Sequence, residues 1–126
     1  MTSNPESNAL ANYNGRMVEE IVQTLLPEMQ YVGEELDAVY QGRPLEIKSC
    51  QRTCHRSDRC KGERSGRFWF REDQDKALKD EDGYYALVVH DKGNLCFFFL
   101  AEARLLLNDF SGAMTVSWNT IARRVL

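Results

Sequence analysis

Asp37, Glu46 and Lys48 lie within one stretch, YVGEELDAVYQGRPLEIKS, residues 31–49. Two carboxylates and an ammonium are what a divalent metal ion and an attacking water require. The carboxylates supply hard oxygen ligands, and the ammonium orients water and offsets developing negative charge. Their spacing suits a pair of short strands joined at Gln41-Gly42. Successive strand side chains point to opposite faces, so Glu46 and Lys48 share one face while Leu45 and Ile47 point into a core. Placing a carboxylate and an ammonium on an otherwise apolar strand is costly unless something binds there. The plain alternative is a solvent-facing ion pair contributing about 0–1 kcal/mol.

The elements that must position this cluster can be read on either side of it. Met17, Val18, Ile21, Val22, Leu25 and Leu26 recur at helical spacing and predict a helix from about Gly15 to Leu26. Asn14 suits its N-cap and Pro27 stops it. At about 100° per residue, Glu20 falls opposite the apolar stripe and Glu19 on its edge. Glu19 is either a rim carboxylate or a group aimed toward the hairpin. Residues 1–13 read as a flexible arm or a short extra helix starting at Asn4-Pro5, and 14–126 as a single domain. Strands are expected at Met29–Glu35, Leu36–Tyr40 and Arg43–Cys50, with Gly42 supplying the tight turn between the last two.

Residues 51–66 show no apolar periodicity and read as a long loop. Within and beside it stand Arg52, Arg56, Arg59, Lys61, Arg64 and Arg67, against only Asp58 and Glu63. Local basic density of this kind serves phosphate contacts, although a solvated loop would look the same. Cys50, Cys54, His55 and Cys60 stand close enough together to raise zinc, but they lack paired CxxC knuckles, so free thiols are the alternative. Arg67–Phe70, RFWF, suits a short strand whose aromatics either close a core or stack on bases.

Arg71–Glu81 reads as a mostly charged helix. Tyr84–His90 reads as an inner strand, hydrophobic on both faces, with Leu95–Leu100 as its hairpin partner across the turn at Asp91–Asn94. His90, at a strand end, reads as a surface residue. Ala101–Asn108 suits a helical turn, Met114–Trp118 a strand and Asn119–Val125 a closing helix. The order helix, three strands, basic loop, helix, strand, strand, tail makes an α/β fold, a mixed sheet with helices packed on it.

The 126 residues carry a net charge of −3, so any nucleic-acid contact must come from the local basic cluster. The polar start, MTSNPESNALANYNG, lacks the basic and apolar regions of a secretory signal, and the longest apolar run is far too short to span a bilayer. The expectation is a cytoplasmic protein without a membrane partner.

Taken together, GRMVEEIVQTLL, ELDAV and LEIKS resemble the PD-(D/E)XK nuclease superfamily, and within it archaeal Holliday-junction resolvases and related restriction-endonuclease-like proteins. Gly15 and Glu19 match the resolvase helix, Asp37 the motif aspartate, and Glu46 and Lys48 the ExK pair. Leu36 stands where the motif has proline. The resemblance implies a restriction-endonuclease-like α-β-β-β-α-β core with an extra C-terminal strand or hairpin. It implies metal-dependent cleavage of branched or duplex DNA. Asp37, Glu46 and the Ile47 carbonyl would hold Mg2+ or Mn2+, and Glu19 a second ion. Lys48 would orient the water, Gln51 would assist at the strand end, and the basic residues would bind DNA. Two active sites would come from a homodimer. The alternative is a non-cleaving nucleic-acid- or protein-binding module that keeps the nuclease fold.

Overall fold

The computed structural model describes residues 5–32, 38–55 and 63–126. The first helix, α1, runs from Pro5 to Leu25. It therefore starts at the Asn4-Pro5 signal and passes through Asn14 and Gly15. Proline at the first helical position has its φ already set and no N–H to waste. A Cβ on Gly15 would meet nothing within 4 Å, so this glycine costs the helix only its intrinsic propensity.

Three short strands follow: β1 (Gln30–Tyr31), β2 (Ala38–Tyr40) and β3 (Arg43–Gln51). β1 is much shorter than the expected Met29–Glu35. β2 and β3 form an antiparallel hairpin with Ala38 opposite Leu45 and Tyr40 opposite Arg43. Gln41 and Gly42 both have positive φ, 53° and 74°, the combination a two-residue turn needs to match strand twist.

The expected loop after β3 contains a small antiparallel hairpin, β4 (Thr53–His55) and β5 (Glu63–Ser65). The sequences of these strands, TCH and ERS, are too short and polar for a period-two apolar pattern to announce them. β6 (Arg67–Arg71) comes next, then α2 (Glu72–Asp80), β7 (Tyr84–Asp91), β8 (Asn94–Glu102), α3 (Ala103–Leu106), β9 (Ala113–Ser117) and α4 (Trp118–Val125).

The main sheet has the order β1-β2-β3-β7-β8. β3 and β7 run parallel, and the other neighbours are antiparallel. α2 lies on the crossover between the parallel pair, as a parallel connection requires. β6 and β9 form a separate two-stranded ribbon, so the additional C-terminal strand does not extend the main sheet. This is the mixed α/β, restriction-endonuclease-like arrangement that the sequence implies.

Two cores sandwich the sheet. On one side, Val18 and Val22 of α1 and Leu26 just after it pack with Met29, Ala38, Leu45, Ala86 and Val88. On the other, Phe68, Phe70, Leu78, Tyr85, Leu87, Val89, Val116 and Ile121 form a larger cluster. β7 alternates between the two, with Tyr85, Leu87 and Val89 on one face and Ala86 and Val88 on the other, as an inner strand should.

His90 corrects the sequence reading, which put it on the surface. It is 4% exposed. β7 continues one residue beyond it, Gln51 of β3 is its ladder partner, and the Arg52 amide donates to its carbonyl at 2.7 Å, so it lies inside the sheet and not at a free strand end. Burial pulls its imidazole pKa down, against the opposing pull of Asp91. No helix among the described residues is long and apolar enough to cross a membrane.

Candidate active site

Period two on β3 decides which side each residue serves. Leu45 and Ile47 join the α1-side core. Glu46, Lys48 and Cys50 face the opposite side, where Cys50 joins the larger core. Glu46 is 5% exposed and the Lys48 side chain 13%, which excludes a solvent-facing ion pair. A carboxylate and an ammonium are therefore held inside the protein, where each needs compensation.

That compensation comes from α2. Lys48 Nζ donates to Gln74 Oε1 at 2.8 Å, and Gln74 Nε2 donates to Glu46 Oε1 at 3.3 Å. Lys48 Nζ and Glu46 Oε1 stand 3.9 Å apart. The amide orientation is dictated by charge, since a flipped Gln74 would set its NH2 against the ammonium. Gln74 thus bonds both charged groups without neutralising either. Lys48 also lies over the indole of Trp69 on β6, with Nζ 5.9 Å from the ring centroid.

Beside this cluster lies a second polar network. Asp75 is buried, accepts from the Tyr85 hydroxyl at 2.8 Å, and pairs with Lys79 at 2.7 Å. Lys79 also reaches Asp109 at 3.0 Å and the Leu107 carbonyl at 2.8 Å. Burial alone would pull the Lys79 ammonium pKa down, but bonding and charge attraction with Asp75 and Asp109 outweigh it, and the pKa stands raised. Tyr85 is the direct ladder partner of Glu46. Burial, the Asp75 hydrogen bond and the charges of Asp75 and Glu46 push its hydroxyl above the ordinary phenol range.

The structure brings together only part of the set expected from sequence. Glu46 and Lys48 meet, and Ile47 lies between them on β3. Asp37 lies outside the described residues, as do Arg56, Arg59, Cys60 and Lys61. The Glu19 side chain is exposed, and its backbone carbonyl accepts from the Tyr31 hydroxyl at 2.6 Å. Gln51 is exposed at the end of β3. Gly66 lies against it so closely that an added Cβ would fall 1.7 Å from the Gln51 carbonyl oxygen. Arg52 pairs with Asp91 at 3.6 Å, Arg64 is exposed, and Arg67 is held on β9 by Thr115. Cys50 and Cys96 are free thiols. The side chains of Cys54 and His55 lie outside what is described.

Gln74 was not a candidate from sequence. The only sequence signal is a polar residue two positions into a helix, and that helix is mostly charged. Among the described residues no three Asp, Glu, His or Cys side chains cluster around one point. Glu46 nevertheless fits one ligand position of a divalent cation. It is a buried hard-oxygen donor beside a lysine, on the strand that also carries the Ile47 carbonyl.

A mixed sheet with a buried Glu-x-Lys on the strand after a tight hairpin defines a nuclease-type domain. The PD-(D/E)XK nuclease superfamily domain matches residues 5–101, most of the chain, and the protein belongs to that superfamily. No curated protein and no solved structure matches it.

Proposed function

We propose that this protein is a divalent-metal-dependent endonuclease that hydrolyses phosphodiester bonds in DNA, with branched DNA as the first candidate substrate. The observation that carries the proposal is the buried Glu46–Lys48 pair bridged by Gln74. A protein gains little stability from such a pair compared with well-packed apolar residues of the same size, and removing one partner alone strands the other charge. Its retention on a central strand fits chemistry better than structure.

Glu46 and the Ile47 carbonyl would hold Mg2+ or Mn2+ together with Asp37. Asp37 is covalently joined to Ala38, whose Cα faces that of Leu45 next to Glu46. When bound, the cation supplies an acidified water and stabilises charge on the phosphate. Lys48 donates to the attacking water and offsets the charge that develops on the phosphoryl oxygens. Gln74 fixes the position of the Lys48 ammonium by accepting a hydrogen bond from it. Glu19 would serve a second cation. Arg52, Arg56, Arg59, Lys61, Arg64 and Arg67 would grip phosphates, each contact adding about −0.9 to the log–log salt slope on duplex DNA. Gln51 stands at the strand end leading into them. Two copies related by a two-fold axis would present two sites to a branched substrate.

The test is incubation of labelled four-way junction and linear duplex DNA with the protein in Mg2+ or Mn2+, and in EDTA. Asp37→Ala and Lys48→Ala run beside wild type. Metal-dependent cutting lost in both variants is the expected result, and the ratio of junction to duplex cutting ranks the substrates. Binding of these DNAs with no cutting in either metal overturns the proposal in favour of a binding module.

A further inference from the structure

We propose that the outer face of the β6–β9 ribbon is a base-stacking platform beside the active site, with Trp69 receiving an unpaired nucleotide of the substrate. The substrate class is then DNA with single-stranded or branched character. This rests on the nuclease reading for the chemistry that follows binding.

β6 alternates strictly. Phe68 and Phe70 are fully buried, whereas Arg67, Trp69 and Arg71 face outward, and Trp69 is 55% exposed. The other tryptophan serves the fold. Trp118 stacks on Phe97 with centroids 4.9 Å apart and donates Nε1 to the Arg52 carbonyl at 2.7 Å. Trp69 instead leaves half of a large apolar ring in water, on a strand that already has two phenylalanines for packing.

Three features give this indole a nucleotide's chemistry. Lys48 Nζ lies 5.9 Å from its centroid, so a base on the ring and a phosphate at Lys48 belong to the same or neighbouring nucleotides. Arg67 donates from Nε and Nη2 to the hydroxyl and carbonyl of Thr115, at 2.9 and 3.0 Å. Thr115 is the direct ladder partner of Trp69, so the guanidinium lies on the same face beside the ring. Both of its acceptors there are neutral, which leaves the Arg67 charge available to a phosphate. Arg71, on the other side of Trp69, pairs with Asp73, an exposed contact that a phosphate can replace at small cost. Basic, aromatic, basic along one strand is the pattern that tracks a single strand and stacks its bases. Duplex DNA offers base edges in its grooves, whereas an indole face needs a base out of the stack.

The experiment measures binding apart from cleavage. Fluorescein-labelled single-stranded, four-way-junction and duplex oligonucleotides are titrated in EDTA with wild type, Trp69→Ala and Trp69→Phe. Anisotropy and tryptophan quenching are both recorded, and circular dichroism confirms folding. Trp69→Ala is expected to weaken single-strand binding about 5- to 150-fold and to lose most of the quenching. Trp69→Phe should recover most of the affinity, and duplex binding should change less than about twofold. Equal single-strand affinity for Trp69→Ala and wild type overturns the platform, as does a wild type that binds none of these oligonucleotides. If wild type also cuts DNA, the first of these results leaves the nuclease reading standing. Stacking through Trp69 in a protein that never cuts would do the reverse.

Discussion

Gln74 and Asp75 are neighbours on α2, yet they serve two polar clusters of opposite design. Asp75 is saturated, with the Tyr85 hydroxyl on Oδ1 and the Lys79 ammonium on Oδ2. Its cation is held in turn by Asp109 and a backbone carbonyl. That network closes on itself and ties α2 to β7 and to the segment after α3. In the other cluster, Glu46 and Lys48 stand 3.9 Å apart and are linked by a neutral amide. The two opposite charges are held near each other with Gln74 bonded to both. Under the proposed function, the contrast is between a clamp that ties elements together and a pair at the reaction centre.

The comparison breaks most sharply at Lys48. Lys48→Met should lower the single-turnover cleavage rate about 10²- to 10³-fold, the scale of losing one transition-state donor. Its unfolding free energy should also fall, by about 3 kcal/mol or more in urea melts, because Glu46 is left buried without its ammonium, so the rate is taken on folded protein. Asp75→Asn should part from it in cleavage. Loss of the Lys79 partner should cost about 3 kcal/mol of stability, the low end for a broken buried pair, since Asp109 remains. Cleavage by the folded fraction should stay near wild type. A variant that keeps its stability would mark Asp75 as something other than a clamp.

Gln74→Ala sharpens the comparison from the residue between the two clusters. It removes hydrogen bonds to two charged groups, each contributing about 1.5–3 kcal/mol. Cleavage should drop about 10- to 100-fold in single-turnover assays, with a much smaller change in DNA affinity. The smallest effect concerns His90, at the far end of β7. Its folded pKa is depressed, so the unfolded chain takes up a proton first as pH falls below about 6.5. Stability should therefore decline with acidification through that window and be retained above it. His90→Gln should flatten that part of the pH–stability curve in thermal melts.

The parts legible in sequence were those that local pattern dictates. Gln41-Gly42 between two apolar runs marked the hairpin, and alternation in LEIKS marked the shared face of Glu46 and Lys48. YYALVVH announced an inner strand by being apolar at both phases. The apolar stripe marked α1, but Asn14-Gly15 masked its true start because a favourable Pro5 lay ten residues earlier. Other features depend on tertiary approach. The β4–β5 hairpin is built from the short polar runs TCH and ERS, so its sequence carries no apolar period. Asp75 and Gln74 look like solvent residues of a charged helix until α2 settles on β3 and β7. His90 pairs with Gln51 of β3 instead of ending a free strand, a contact between distant stretches of chain. RFWF carried two roles at once, with Phe68 and Phe70 closing the core and Trp69 facing out.

The most direct test of the account is Mn2+-dependent single-turnover cleavage of labelled DNA by wild type and Glu46→Gln, with both proteins shown to be folded. Glutamine keeps the shape of the buried side chain and removes its charge. The account expects wild type to cut in Mn2+ but not in EDTA, and Glu46→Gln to be slower by at least about 10²-fold. Equal cleavage by the two proteins would contradict it, because the buried carboxylate would then have no part in the reaction.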